Sequence, residues 1–512
     1  MTRAEERNLL LLCGITLAAT ADAVAGTALT LSRSSMMGAV HATSDQYSWL
    51  DMVYTAAKLV AFLFAAAIAE RWGCYRVLVG ALAAALVAAL ACTMTDAVGF
   101  LLFWRMLEGL AGGLMLVSGQ TILLAIYPRA RQPIVQAVFA LGAVMAPTTV
   151  APALEGWIVD ALVWSWVFRA AFVIGLAALG LILTAPLRDV HKTRTLRLDW
   201  PGVASLSVAL TAVVYLLTMG ERWNWFVSPE SGYALALVLA GLAAFVMRRP
   251  HAPMIVLSPF AHRDFAFGFI VSFMAGIALS GSAYLIPAFA ASVLGFSPKA
   301  AGFLLLPGGA LVALGLLGAG LLIASGKLVP FKLVPPGLIL LITAIWMLSG
   351  SSWDSGAGTM MLPLLLRGLG LGFLFVSLTL ITLLGLEDGE RLAGVGLFSF
   401  GKQMGGLVGV AGLQTFIAHH AALAGAVLTA RLTPDSVLLA ARLAAIKAAL
   451  VSRGMDPASA ARASDSVVEH LVQHQVALLS YTEAFAGLAL FFVATAPLIL
   501  LIKFTLARRM KA

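Results

Sequence analysis

Long, mostly apolar stretches recur from one end of this 512-residue chain to the other. A helix of about 20 such residues crosses the roughly 30 Å hydrocarbon core of a bilayer. In lipid the backbone must satisfy its own hydrogen-bonding groups, so helices are the expected crossing form. Short alternating strands of about ten residues, the mark of a membrane barrel, do not occur. Hydrophobic residues make up 61% and charged residues 11% of the chain, against about a quarter charged in soluble domains. That composition excludes an ordinary cytosolic protein.

The periodic runs place fourteen spans at about 8–31, 48–69, 77–95, 100–126, 133–159, 165–185, 201–219, 232–247, 266–293, 300–324, 333–350, 359–386, 393–418 and 480–505. With the N-terminus in the cytoplasm, Arg71, Arg76, Arg129, Arg131, Arg188 and Lys192 fall inside. Short outer loops hold Arg33, Arg222 and Lys299. This asymmetry predicts a multi-pass protein of a bacterial inner membrane with both termini cytoplasmic. It also explains the net charge of +9 better than a nucleic-acid-binding face does. Arg3, Arg7 and Ala19-Thr20-Ala21 mimic a signal peptide, but the apolar run continues past them. Cys13, Cys74 and Cys92 are isolated, which suggests neither a disulfide framework nor a metal site.

Basic and proline-rich links divide the chain into six, two and six spans: a bundle over 1–190, an inserted pair over 191–263 and a second bundle over 264–512. The expected fold is an all-α polytopic one. One outer segment, 420–479, is too long for a connector. Thr433-Pro434 and Asp456-Pro457 read as helix starts, and Leu439, Leu443, Ile446 and Leu450 repeat on one face, so we expect a hairpin of two amphipathic helices. It would either cap its own protein or dock a periplasmic partner.

Three segments carry motifs. Glu70, Arg71, Gly73 and Arg76 sit in the second turn between spans, where Gly73 permits a tight reversal. On the fourth span, Arg105, Glu108, Gly109, Gly112 and Gly113 share one helical face. On the fifth, Gly142, Ala146, Thr149, Ala153 and Gly156 form a small-residue stripe, with Pro147 and Pro152 bending the helix. Together these resemble motifs A, B and C of the major facilitator superfamily, in its fourteen-spanner drug/proton antiporter branch of the EmrB/QacA type. Leu198-Asp199-Trp200-Pro201-Gly202, Arg367-Gly368-Leu369-Gly370-Leu371-Gly372 and Lys402-Gln403-Met404-Gly405-Gly406 extend the resemblance nearly end to end. The chain departs from the family at Ala66 and Glu108, where glycine and glutamine are usual, in Ala151-Pro152-Ala153-Leu154-Glu155-Gly156, and at mid-span Lys58.

The resemblance implies two six-helix bundles that rock about a midplane cavity, export of amphipathic drugs or toxic compounds against a proton current, and a periplasmic membrane fusion protein on the outer hairpin. Asp22 matches the family's acid on the first span, making it the first candidate for the proton site, with Arg105 and Glu108 as coupling partners. An ionisable group at bilayer depth is a functional candidate by default. Lys58, Asp51 and Glu155 are therefore candidates for the substrate cavity, although Glu155 also reads as a side chain reaching outer water. Lys58 and Asp51 face the same way, and Lys58 is open to pairing with Asp51 or Glu108, or to countering an anionic substrate. Arg367 and Lys402 read as interfacial or helix-locking residues. The added charges leave open a dedicated exporter of a polar metabolite such as a siderophore, and the scaffold leaves open an importer.

No convergent nucleophile, base or metal cluster suggests an enzyme. Gly396-Leu397-Phe398-Ser399-Phe400-Gly401-Lys402-Gln403 approaches a phosphate loop, but it lacks the Ser/Thr and lies in a span. No cofactor is expected beyond the proton as coupling ion.

Overall fold

A computed structural model of the chain describes residues 3–95, 97–187, 199–248, 255–431 and 437–509. Among these, fourteen helices are long and apolar enough to cross a membrane. They are α1 (Arg3–Thr27), α2 (Ser44–Trp72), α3 (Cys74–Cys92), α4 (Val98–Ile126), α5 (Gln132–Ala161), α6 (Trp166–Thr184) and α7 (Trp200–Met219). They continue with α8 (Pro229–Met247), α9 (Arg263–Ser292), α10 (Pro298–Ala324), α11 (Pro330–Ser349), α12 (Ala357–Leu383), α13 (Arg391–Arg431) and α14 (Pro457–Arg509). An even number of crossings puts both chain ends on one face, called here the terminal face.

Local chemistry explains the boundaries. Thr43 and Gln46 form a reciprocal capping box at the start of α2, and Gly73, with φ of 89°, lets α3 begin at once. Ser228 and Ser297 accept N–H groups at the starts of α8 and α10, each followed by a proline at the first helical position. In α5, Leu141–Val150 winds as a π-helix around Pro147, which has no N–H to give to the ladder. The bend predicted from Pro147 and Pro152 thus takes the form of a widened segment.

Two apolar cores interlock. The first is built mainly from α1 to α5, and Phe265, Leu392 and Phe398 of the later helices and Leu386 of the α12–α13 turn join it. The second gathers α9 to α12 with α14, and Ala137, Ala140 and Val144 of α5 join it in turn. The seam between them is lined by glycines. A Cβ at Gly396 of α13 would strike the Phe62 carbonyl of α2; at Gly156 or Gly320 it would meet backbone at Pro298 or Pro133, along the line where α5 meets α10. The α7/α8 pair straddles the other side of the seam. Leu206 and Leu210 pack on Phe64 and Ala67 of α2, and against Phe400 and Met404 of α13. The α7–α8 turn holds both neighbours: Arg222 pairs with Asp45 at 2.6 Å, and Trp225 Nε1 donates to Thr415 Oγ1 at 3.2 Å.

The outer segment differs from its expected form. Thr433 and Pro434, along with link residues Arg188, Lys192 and Leu198, lie outside the described residues. Instead of a separate hairpin, α13 runs on to Arg431 and α14 begins at Pro457, with one added helix, Val437–Ser452, between them. Gly454 (φ 93°) ends that helix, and Asp456 Oδ1 caps α14 by accepting from the Ala458 and Ser459 N–H groups. Leu439, Leu443, Ile446 and Leu450 are half-buried while their described neighbours in the helix are exposed, as their spacing predicts. At 53 residues, α14 is about 80 Å long at 1.5 Å per residue.

Candidate functional site

α1, α2 and α4 come together because α4 presents its glycine face to both neighbours. A Cβ on Gly109 or Gly113 would collide with the Tyr54 or Lys58 carbonyl of α2, and one on Gly112 would overlap Asp22 Oδ1 of α1. The close approach assembles five polar side chains, each no more than 8% exposed. Lys58 Nζ lies 2.6 Å from Asp22 Oδ2 and donates to the Tyr54 hydroxyl at 3.0 Å. The Tyr54 hydroxyl in turn donates to Asp22 Oδ1 at 3.0 Å. Both Asp22 oxygens are therefore occupied.

Beside this triad, Arg105 Nη1 donates to Glu108 Oε2 at 2.7 Å and to the Ala25 carbonyl at 2.9 Å. Its guanidinium lies 4.2 Å from the Tyr54 ring centroid, a cation–π contact that ties the two pairs together. Arg105 Nε and Nη2 and Glu108 Oε1 are buried without protein partners. Asp22 and Glu108 both line a void of about 20 Å³ between α1, α3, α4 and α6, and about 10–15 Å³ suffices for one water. A larger cavity of about 460 Å³ lies at the terminal face around His262, Asp264, Thr382 and Leu386, and none of the cluster lines it.

Of the predicted residues, Asp22, Arg105, Glu108 and Lys58 meet here. Lys58 pairs with Asp22 rather than with Asp51 or Glu108. Asp51 sits seven residues earlier on α2 and is exposed. Glu155 lies apart and does not reach water: it is 0% exposed. Its Oε1 accepts the N–H groups of Leu31 and Ser32, at 2.8 and 3.0 Å, and so holds the turn after α1; Oε2 has no partner. Gly142 packs on the Thr16 carbonyl of α1, and Pro152 and Gly156 face α10 across the seam. In the α2–α3 turn Arg71 is exposed, whereas Glu70 and Arg76 both interact with neighbours.

The sequence reading missed Tyr54, the hub of the cluster. Its signal is position: Asp51, Tyr54 and Lys58 follow i, i+3, i+7 spacing on one face of a span. Of its two readings, interfacial or helix-locking, Arg367 has the geometry of the second, joining α12 to α9. It is 1% exposed, gives Nε to Ser282 Oγ at 2.8 Å, and leaves Nη2 unpartnered.

A family model described as Major Facilitator Superfamily matches residues 11–410, and the chain belongs to that family. It is a membrane-embedded secondary transporter and not an enzyme, and its relatives place it with the EmrB-type exporters. It is 25% identical over 476 residues to the fatty acid resistance protein FarB of Neisseria gonorrhoeae, covering 91% of this chain and 90% of that one. It is 24% identical to the multidrug export protein EmrB of Escherichia coli, covering 78% of each. Similarity to the tetracenomycin C resistance and export protein of Streptomyces glaucescens is 26%, over 78% of this chain and 74% of that one. The same fold occurs in the human organic anion transporter MFSD10, with a TM-score of 0.56 at 14% identity over 81% of this chain and 94% of that one.

Proposed function

We propose that this chain is a proton-coupled exporter of amphipathic compounds, placed in a bacterial inner membrane with both termini in the cytoplasm. The observation that carries this reading is the Asp22–Lys58–Tyr54 triad: a carboxylate at bilayer depth, fully engaged and next to a water-sized void shared with Glu108. Protonating Asp22 removes the charge that holds Lys58, so the link between α1 and α2 loosens. Losing that proton restores the link. Alternating exposure of the triad to the two sides couples this change to rocking of the halves about the α2/α13 and α5/α10 contacts. Arg105 and Glu108 sit against the same tyrosine and tune the pair electrostatically. The resistance and export roles for which FarB, EmrB and the tetracenomycin C protein are named support outward movement of toxic compounds.

The outer extensions of α13 and α14, with Val437–Ser452, form the surface for a periplasmic membrane fusion protein. The reading is tested in proteoliposomes with an imposed pH gradient and ethidium as the transported dye. Asp22→Asn is expected to abolish gradient-driven accumulation while facilitated exchange persists. Wild-type accumulation in Asp22→Asn would remove Asp22 from the mechanism.

A further inference from the structure

The two halves carry opposite intramembrane charge. Deep in the first are the acids Asp22, Glu108 and Glu155 with the cations Lys58 and Arg105. Across α9 to α13 the only acid is Asp264, in the first turn of α9, yet Arg367 and Lys402 lie well inside α12 and α13. A charge at that depth needs a counter-charge; helices α9 to α13 supply none beyond Asp264, and Glu483 of α14 is exposed. Arg367 is sealed in its own core against Ser282. Lys402 is only partly buried. Its ammonium lies 5.8 Å from the Phe375 ring centroid, and no ion pair to a carboxylate is found for it among the described residues.

Lys58 and Asp22 are the charged groups whose fields reach Lys402 across the seam. They leave it unsatisfied, since Asp22 is already held by Lys58 and Tyr54. Lys58 on α2 and Lys402 on α13 are like charges on two helices that pack together at Gly396 and Phe62, in a poorly screened interior, an arrangement that an anion near Lys402 relieves. The contact shown for the ammonium is aromatic, the Phe375 ring of α12 beneath it. A single ammonium without a planar guanidinium fork suits a monovalent head group better than a phosphate clamp.

We propose that Lys402 binds the anionic head, a carboxylate or sulfonate, of an amphiphilic substrate whose apolar tail lies along the seam between the halves. This rests on the exporter reading and adds an anionic class to its substrates. The test uses full-length protein in phosphatidylcholine nanodiscs, with dodecanoate as probe and dodecyltrimethylammonium as its head-reversed control. Saturable dodecanoate binding is expected, weakened about tenfold or more in Lys402→Gln, the scale of one lost charge-assisted contact. Lys402→Arg keeps the charge and is expected to bind much as wild type does. Dodecyltrimethylammonium binding should not depend on residue 402.

No saturable dodecanoate binding, or equal binding by wild type and Lys402→Gln, overturns the proposal. Loss of dodecanoate binding when a third of the lipid is phosphatidylglycerol also overturns it, making the occupant an anionic lipid. Gradient-driven ethidium transport, measured separately, reads the exporter function. If it persists without a Lys402-dependent anion site, only the substrate class falls. If dodecanoate binds through Lys402 but no gradient drives transport, the exporter reading falls and the site stands.

Discussion

At the scale of single residues, the cost of a buried charge decides what each group does. Asp22 stays in the bilayer interior because Lys58 and Tyr54 fill both of its oxygens. Removing one partner of a buried pair typically costs about 3–5 kcal/mol, whereas replacing both is often nearly neutral. Lys58→Met is therefore expected to lower the melting temperature in detergent by several degrees, and adding Asp22→Asn to recover most of the loss. Additive losses would mean that the 2.6 Å contact stores little energy. The Arg105–Glu108 pair was legible from its i, i+3 spacing, since both groups ride one helix. Lys58's choice of Asp22 over Asp51 was not, because pairing between helices depends on rotation and axial offset that spacing leaves free. Glu155 misled for a related reason. Its place near the outer end of the span suggested a path to water, but the chain turns back after α1 and aims two backbone N–H groups at it.

At the scale of helices, hydrophobic runs read directly as spans, and all fourteen form. Their ends were less legible where a helix continues into water, because amphipathic sequence outside the membrane carries no apolar boundary to read. That is why α13 and α14 outrun their expected limits. The small-residue stripe of α5 was visible, but its partner was not: Gly156 serves the seam with α10, against the Pro298 carbonyl. Gly156→Val is expected to force the halves apart there and slow ethidium transport at least about tenfold, the effect of roughly 1.4 kcal/mol on the closed arrangement. Gly412→Val, at a position on α13 with open space around it, should leave the rate unchanged. Equal rates in both variants would show that the α5/α10 contact does not move or tighten during transport.

At the scale of the whole molecule, the family fold and its inserted helix pair follow from span count and motifs, whereas the pair's strap across the seam, through Arg222–Asp45 and Trp225–Thr415, required the structure. Under the proposed partnership, deleting 433–475 should abolish cross-linking to a periplasmic protein and efflux from cells while leaving ethidium transport in proteoliposomes intact. Unchanged cross-linking and efflux would reduce the segment to a cap. The length of α14 has its own consequence. About 20 of its residues suffice to cross the bilayer, and roughly 23 more, some 35 Å, project beyond it out to the helix start at Pro457. A tilt of about 10° in the half that carries it would swing this tip by on the order of 6 Å. Under the proposed rocking, the helix would be a pointer as well as a post: a hidden rearrangement among buried side chains would become a stroke large enough for another molecule to feel.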